Sequence, residues 1–409
     1  MKVLPFFLLL LPITISCGED EGMDFPAREK EINLTPESGA MVTADNQFGF
    51  ELFKRMLSVD SAKNLMISPV SISQALLMTY NGSAGETKNA FEETLFLGDL
   101  TTEEINQAQQ ELVNALLEVD PAVTLNIANS IWHREGFPVN PEFMKVILDF
   151  YTAEIMEAAF DQSTVDLVNR WVEDETGGKI DHILDQIDPS HVMFLINAIY
   201  FNGNWKYQFE ASNTLNDEFY LSNGSTVNVP FMNQEVNAAL LQHDDFTILD
   251  LPYGRGNFSM LFFLPGEDKT IDDLMAAWNT ENYDHWLEHL EEMNVAVSIP
   301  KFKFGYAKEL DDFLQAMGLA VAFDPDHADF SNLTEAMQLY IDFVKHKSFI
   351  DVNEKGTEAA AVTAVGFGTT SADPSYPEFV ANRPFLFALR EKQTHAILFL
   401  GKVANPAEE

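Results

Sequence analysis

The chain has 409 residues, 46% of them hydrophobic and 33 of them Phe, which is enough apolar material for a large globular core. Its 24 Lys and Arg against 64 Asp and Glu give a formal net charge of −40, which argues against nucleic acid and against anionic polysaccharides such as heparin as partners. A single Cys excludes an intrachain disulfide.

Lys2 and the apolar run over 3–13 have the layout of an export signal and are too short to cross a bilayer. With Thr14-Ile15-Ser16-Cys17 behind it, the segment resembles a bacterial lipoprotein signal. That resemblance implies cleavage before Cys17 and lipid on its sulfur and amine, a stable anchor once two or more acyl chains are present. A plain secretory signal is the alternative. Gly18-Glu19-Asp20-Glu21 resembles the acidic tag that sends some bacterial lipoproteins to the cell surface. The expected location is extracytoplasmic, anchored at the outer membrane or cell surface, or else secreted. Pro26, Pro36, Gly39 and many charges make 17–42 read as a flexible acidic tether. This divides the chain into a signal at 1–16, the tether at 17–42 and one large domain, expected to be monomeric, at 43–409.

Within that domain Phe48, Phe50, Leu52, Phe53, Met56 and Leu57 predict a first amphipathic helix. Residues 71–80 read as a buried helix, because Ala75, Leu76, Leu77 and Met78 leave little polar face. Another helix is expected over 143–151. Residues 125–132 and 192–201 read as strands, the second almost continuously apolar and so expected to be covered on both faces. A strand with weak alternation follows at 295–299, and 385–389 with 396–403 reads as a terminal strand pair. Helices come first and strands dominate later, an α+β pattern without linker or internal repeat.

The stretch 351–363, D-V-N-E-K-G-T-E-A-A-A-V-T, fits neither an ordinary helix nor an ordinary loop. Its Ala run would suit a helix, yet no bulky apolar residue recurs at helical spacing. Turn formers follow: Gly366, Gly368, Thr369, Thr370, Ser371, Pro374 and Pro377. As a strand, one face would carry Thr357, Ala359, Ala361, Thr363, Val365 and Phe367, and the only charge, Glu358, would lie on the other. The segment can be an exposed loop and could also become a strand inside a sheet.

N-E-K-G-T-E-A-A-A-V-T at 353–363 resembles the hinge of the serpin family, and A-N-R-P-F-L-F at 381–387 with I-L-F-L-G-K-V-A-N-P at 397–406 resembles the family's C-terminal signature. Upstream, N-L-M-I-S-P-V-S-I-S-Q-A-L at 64–76, N-A-I-Y-F-N-G-N-W at 197–205, V-P-F-M at 229–232, L-P-Y at 251–253 and P-K-F at 300–302 also match, in family order. The resemblance implies a serpin fold with three β-sheets, about nine helices and an exposed reactive-centre loop. It also implies an inhibitor rather than an enzyme. A serine protease, or a cysteine protease, attacks the loop and forms an acyl-enzyme; the cut loop then enters the central sheet as a new strand and distorts the trapped protease. The stored strain of the native fold drives that step.

By this resemblance the hinge is Gly356, Thr357, Glu358, Ala359, Ala360, Ala361, Val362 and Thr363, small enough for fast entry. Family spacing from Gly356, and back from Asn382, places the scissile bond at Thr370–Ser371. No Lys or Arg lies between Gly356 and Asn382, so a trypsin-like target is excluded, and Thr370 suits an elastase-like or subtilisin-like protease. Phe367 could serve a chymotrypsin-like enzyme. Ser68, Ser71, Asn197 and His346 match the polar cluster beneath the sheet where it opens; Trp205 and the Lys301–Glu354 pair match the point of loop entry. A non-inhibitory serpin-fold binding or surface protein is the alternative.

One further motif stands outside this scheme. His285-Trp286-Leu287-Glu288-His289 is an H-x-x-E-H string, which on a helix could bind zinc with Glu288 as base. A third protein ligand is also needed, and the flanking Glu291 and Glu292 suggest a solvated helix. No zinc catalysis, other metal or organic cofactor is therefore expected.

Overall fold

Short polar side chains and prolines set the helix starts. Ser68 accepts a hydrogen bond from the Ser71 amide at 3.2 Å with Pro69 behind it, Thr101 and Glu104 form a capping box, and Asn140 precedes Pro141. The computed structural model describes residues 30–59, 64–357 and 376–408. Among these, nine α-helices are present: α1 (Pro36–Val59), α2 (Pro69–Gly82), α3 (Gly85–Thr94), α4 (Thr102–Glu118), α5 (Pro141–Tyr151), α6 (Gln162–Glu175), α7 (Ile271–Ala277), α8 (Thr280–Glu288) and α9 (Asp311–Ala316). The strands are β1 (Leu65–Ile67), β2 (Val123–Arg134), β3 (Glu154–Ala158), β4 (Met193–Asn204), β5 (Leu215–Tyr220), β6 (Thr226–Gln242), β7 (Phe246–Pro252), β8 (Phe258–Pro265), β9 (Glu291–Pro300), β10 (Phe302–Glu309), β11 (Lys345–Asn353), β12 (Gly356–Thr357), β13 (Glu378–Val380), β14 (Phe385–Glu391) and β15 (Ile397–Val403).

A six-stranded sheet runs β10-β11-β12-β4-β2-β3. The other strands form one path, β1-β15-β14-β8-β7-β6-β9-β13, with β5 on β6. The 17 residues of β6 pair in turn with β5, β9 and β7, so two of the three expected sheets are hydrogen-bonded into one. Every residue of β8, β14 and β15 is buried, which fits strands in the middle of that layer.

The apolar patterns fall where the sequence places them: 48–57 lies in α1, 71–80 in α2, 125–132 in β2, 143–151 in α5 and all but the first residue of 192–201 in β4. β4 is covered less evenly than its composition suggests. Phe194, Ile196 and Ala198 are sealed against α6, whereas Leu195 and Asn197 on the opposite face are only half-buried, because a cavity lies beside them.

The tether reading of 17–42 needs correction over its last part. α1 begins at Pro36, with Ser38, Met41 and Val42 buried. Ahead of it the Lys30 amide donates to Asn257 Oδ1 at 3.1 Å, and Asn257 Nδ2 donates back to the Lys30 carbonyl at 2.8 Å. Pro36 and Gly39 looked like linker residues, but proline is well suited to a first helical turn. Residues 17–29 lie outside the described residues.

A buried ion pair crosses the apolar layer. Arg390 Nη2 on β14 lies 2.7 Å from Asp250 Oδ2 on β7, and each side chain is 4% exposed. Removing one partner strands the other charge in a medium that cannot solvate it. Arg390→Met should therefore cost about 3–5 kcal/mol of stability, and the double variant Asp250→Leu/Arg390→Met much less. Urea unfolding of the three chains checks this; equal losses in the single and double variants would contradict it.

Candidate functional site

The site is built around the end of β11. After Asn353 the chain turns, with the Lys355 amide donating to Asn353 Oδ1 at 3.1 Å, and returns as the two-residue strand β12. β12 is antiparallel to both neighbours: Val352 faces Thr357 and Asn353 faces Gly356 on one side, Asn204 faces Gly356 and Gly203 faces Thr357 on the other. Only glycine fits at 356. Its φ is +147°, and a Cβ there would lie 2.0 Å from the Gly203 carbonyl oxygen.

Among the described residues β12 is the only strand joining β11 to β4. β11 pairs with β10 from Lys345 to Val352, and β4 pairs through eleven residues with β2, but among the described residues the edges that β11 and β4 turn toward each other meet only at β12. A segment continuing β12 would find antiparallel partners on both sides. Farther along, a cavity of about 280 Å3 lies between α2, the start of β4 and the approach to β11, lined by Thr79, Asn197, Phe343 and His346 among others.

Trp205, Lys301 and Glu354 are brought together around the turn. Trp205 donates its backbone amide to the Lys355 carbonyl at 2.7 Å and its indole N–H to the Asn353 carbonyl at 2.9 Å. Its ring stacks on Tyr253 at 4.2 Å, and the Tyr253 hydroxyl meets Thr357 Oγ1 at 2.7 Å. Lys301 Nζ lies 2.8 Å from Glu354 Oε2, and Thr214 donates to Glu354 Oε1 at 2.9 Å. Partial burial alone would raise the Glu354 pKa, but the bonds from Lys301 and Thr214 outweigh it and hold the carboxyl below its ordinary value.

The four polar residues matched beneath the sheet also converge. The Ser68 amide donates to His346 Nε2 at 3.3 Å, and the Ser71 hydroxyl donates to Asn197 Oδ1. Asn197 Nδ2 in turn donates to Asn129 Oδ1 at 2.7 Å and to Gln74 Oε1 at 3.0 Å. The β2–β4 register sets Asn129 opposite Asn197. Burial keeps His346 neutral, with its pKa lowered to about 4. Gln74, Asn129 and Tyr253 were not singled out from the sequence. Gln74 stood only as one letter of the 64–76 motif and Tyr253 as the last letter of L-P-Y, while Asn129 is one of several polar residues in β2 with no local signal to mark it.

Glu358, Ala359, Ala360, Ala361, Val362 and Thr363 of the hinge, the Thr370–Ser371 bond and Cys17 lie outside the described residues. The described residues continue from Tyr376, and β13 pairs in parallel with β9. The described groups bring together a two-residue strand between β11 and β4, its aromatic and ionic contacts, and a polar cluster between α2, β2, β4 and β11.

The family model Serpin (serine protease inhibitor) matches residues 43–406. A relative described as an uncharacterized serpin-like protein, from Thermococcus kodakarensis, is 33% identical over 397 residues, covering 95% of this chain and 91% of its own. The crystal structure of tengpin, a thermophilic serpin in its native state, superposes with a TM-score of 0.83 at 34% identity, covering 93% of this chain and 97% of its own. That of human thyroxine-binding globulin complexed with thyroxine does so with a TM-score of 0.83 at 30% identity, covering 90% of this chain and 99% of its own.

The buried histidine has a pH consequence. Between about 4 and 6.5 His346 is neutral when folded and protonated when unfolded, so acidification through that window disfavours the native state by up to ~3 kcal/mol. Asp45 opposes it: burial raises its carboxyl to about 7, so acidification below that value favours the folded state. His346→Gln isolates the first contribution. Between pH 7 and pH 5 the Tm of the unmodified chain should fall further, or rise less, than that of the variant; parallel shifts would contradict the assignment.

Proposed function

The chain belongs to the serpin family, a class of protease inhibitors and not of enzymes, and from that premise we propose that it is a suicide-substrate inhibitor of serine proteases, with cysteine proteases as a second target class. The observation that carries this reading is β12: Gly356 and Thr357 already sit between β11 and β4, aligned with the position a further strand would take.

In the proposed reaction the protease nucleophile attacks the Thr370 carbonyl carbon. The Thr370–Ser371 peptide bond breaks, the Ser371 amine leaves, and an ester (a thioester with a cysteine protease) joins Thr370 to the enzyme. The segment from Glu358 to Thr370 then extends β12 between β4 and β11. Successive residues that enter gain backbone hydrogen bonds alternately to β4 and to β11, and the small side chains Ala359, Ala360, Ala361 and Thr363 cost little to admit. Insertion must outrun hydrolysis of the ester.

Thr369 and Thr370 favour a small or medium specificity pocket, as in elastase-like and subtilisin-like proteases, and the absence of Lys and Arg from 356–382 disfavours trypsin-like ones. Cleavage at Phe367 by a chymotrypsin-like enzyme would shorten the inserting strand. The similarity to thyroxine-binding globulin supports the second reading, a binding protein that does not inhibit. We place the chain outside the cytoplasm as a monomer, anchored through lipid on Cys17 or else secreted. None of the described helices is long and apolar enough to cross a membrane.

Incubated with an elastase-like protease, the chain should give a covalent complex that survives boiling in detergent, with the acyl bond at Thr370 by mass spectrometry. Thr357 is buried against Tyr253, so Thr357→Arg should block entry and leave a cleaved substrate without complex. Full inhibition by that variant would contradict the mechanism. Cleavage of the unmodified chain with neither a complex nor a rise in Tm would favour the binding-protein reading.

A further inference from the structure

The H-x-x-E-H string is not absorbed by the inhibitory reading, and the fold gives it a geometry. His285 lies in the last turn of α8, and His289 caps that helix. Spacings of three and four residues bring Glu288 and His289 onto the side of the helix that carries His285. One ligand atom from each of the three groups lies within 4.8 Å of the others, and the two imidazole centroids are 4.1 Å apart. All three side chains are exposed, so rotation about their own χ angles can bring the ligand atoms to the separations of about 3.4 Å that tetrahedral zinc requires.

Three independent features favour a cation there. His289 Nδ1 lies 2.7 Å from the His285 carbonyl oxygen. A carbonyl can only accept, so Nδ1 carries the proton and Nε2 keeps its lone pair, the arrangement typical of a histidine ligand. The C-terminal end of α8 carries the negative end of the helix dipole. Exposed Glu281, Asp284, Glu291 and Glu292 lie within a few residues on a chain of net charge −40.

We propose that His285, Glu288 and His289 form a surface site for one transition-metal dication, zinc in the first instance. Two imidazoles and one carboxylate suit zinc, copper or nickel better than magnesium or calcium, which prefer oxygen alone. A hydrolytic role for the motif does not follow, in keeping with the sequence reading. Glu288 is used as a ligand and so is not a free base, and the neighbouring Asp284 is held by His395 Nδ1 at 3.0 Å. The site's role is to fasten the end of α8. Trp286 on the inner side of that helix packs on Phe246 and Phe263, and Tyr283 packs on Phe50 of α1, so a metal bridge from residue 285 to 289 holds the helix whose buried face joins these core elements. This inference does not depend on the chain being an inhibitor.

The test is calorimetric titration of the untagged full chain with zinc, beside His285→Ala, His289→Ala, Glu288→Gln and, as control, His243→Ala. One ion should bind, with affinity reduced about tenfold or more in each histidine variant and unchanged in the control. Zinc should raise the Tm of the unmodified chain and not that of the histidine variants. Cobalt bound in place of zinc should show visible absorption bands that the same two variants lose. Zinc uptake unaltered in both histidine variants would mean that the ion binds elsewhere, Cys17 included, and would overturn the proposal. So would a chain that takes up no zinc at millimolar concentration.

Discussion

Two residues hold a sheet together where a full strand could stand. β12 contributes only Gly356 and Thr357 to a layer whose other members run from five to twelve residues, and among the described residues nothing else bridges β11 and β4. Backbone groups along an unpaired edge are ready donors and acceptors. In the proposed mechanism a chain in this state gains hydrogen bonds and apolar burial by admitting one more strand, and the barrier that delays the gain is kinetic.

Restraint falls to polar groups. The Tyr253–Thr357 contact and the Lys301–Glu354 pair fasten the first turn of the entry, while Ser68, Ser71, Asn197, Gln74, Asn129 and His346 link α2 to β2, β4 and β11 below it. Buried amides and hydroxyls are directional: they favour one spacing between elements and lose much of their value when that spacing changes. An apolar contact of the same size would tolerate sliding. The cluster therefore holds α2, β2, β4 and β11 at one fixed spacing, which is what the proposed insertion would have to change.

The sequence was legible where physical signals were local. Apolar periodicity located α1, α2, α5, β2, β4 and the β14–β15 pair. The small residues after Gly356 suggested a segment able to pass between loop and strand. What stayed hidden depends on distant partners. Asn129 and Gln74 are not distinguished from the other polar residues of their elements until the β2–β4 register and α2 bring them to Asn197, and Tyr253 gains its role only through Thr357, 104 residues away. The start of the folded domain was missed for the same reason, since Lys30 is held by Asn257 across 227 positions. The H-x-x-E-H string was visible as letters, but whether Glu288 could serve as a ligand depended on where α8 ends.

The strands that follow the loop have a consequence of their own. β14 lies between β8 and β15, β15 lies between β14 and β1, and every residue of both is buried. A cut between residues 358 and 375 would divide the polypeptide into two pieces, yet the smaller piece would remain joined to the larger by the β14–β8, β15–β1 and β13–β9 ladders. Severing the backbone would thus change how the molecule is connected without dismembering it: one particle in native solution, two bands once detergent has stripped the layers apart.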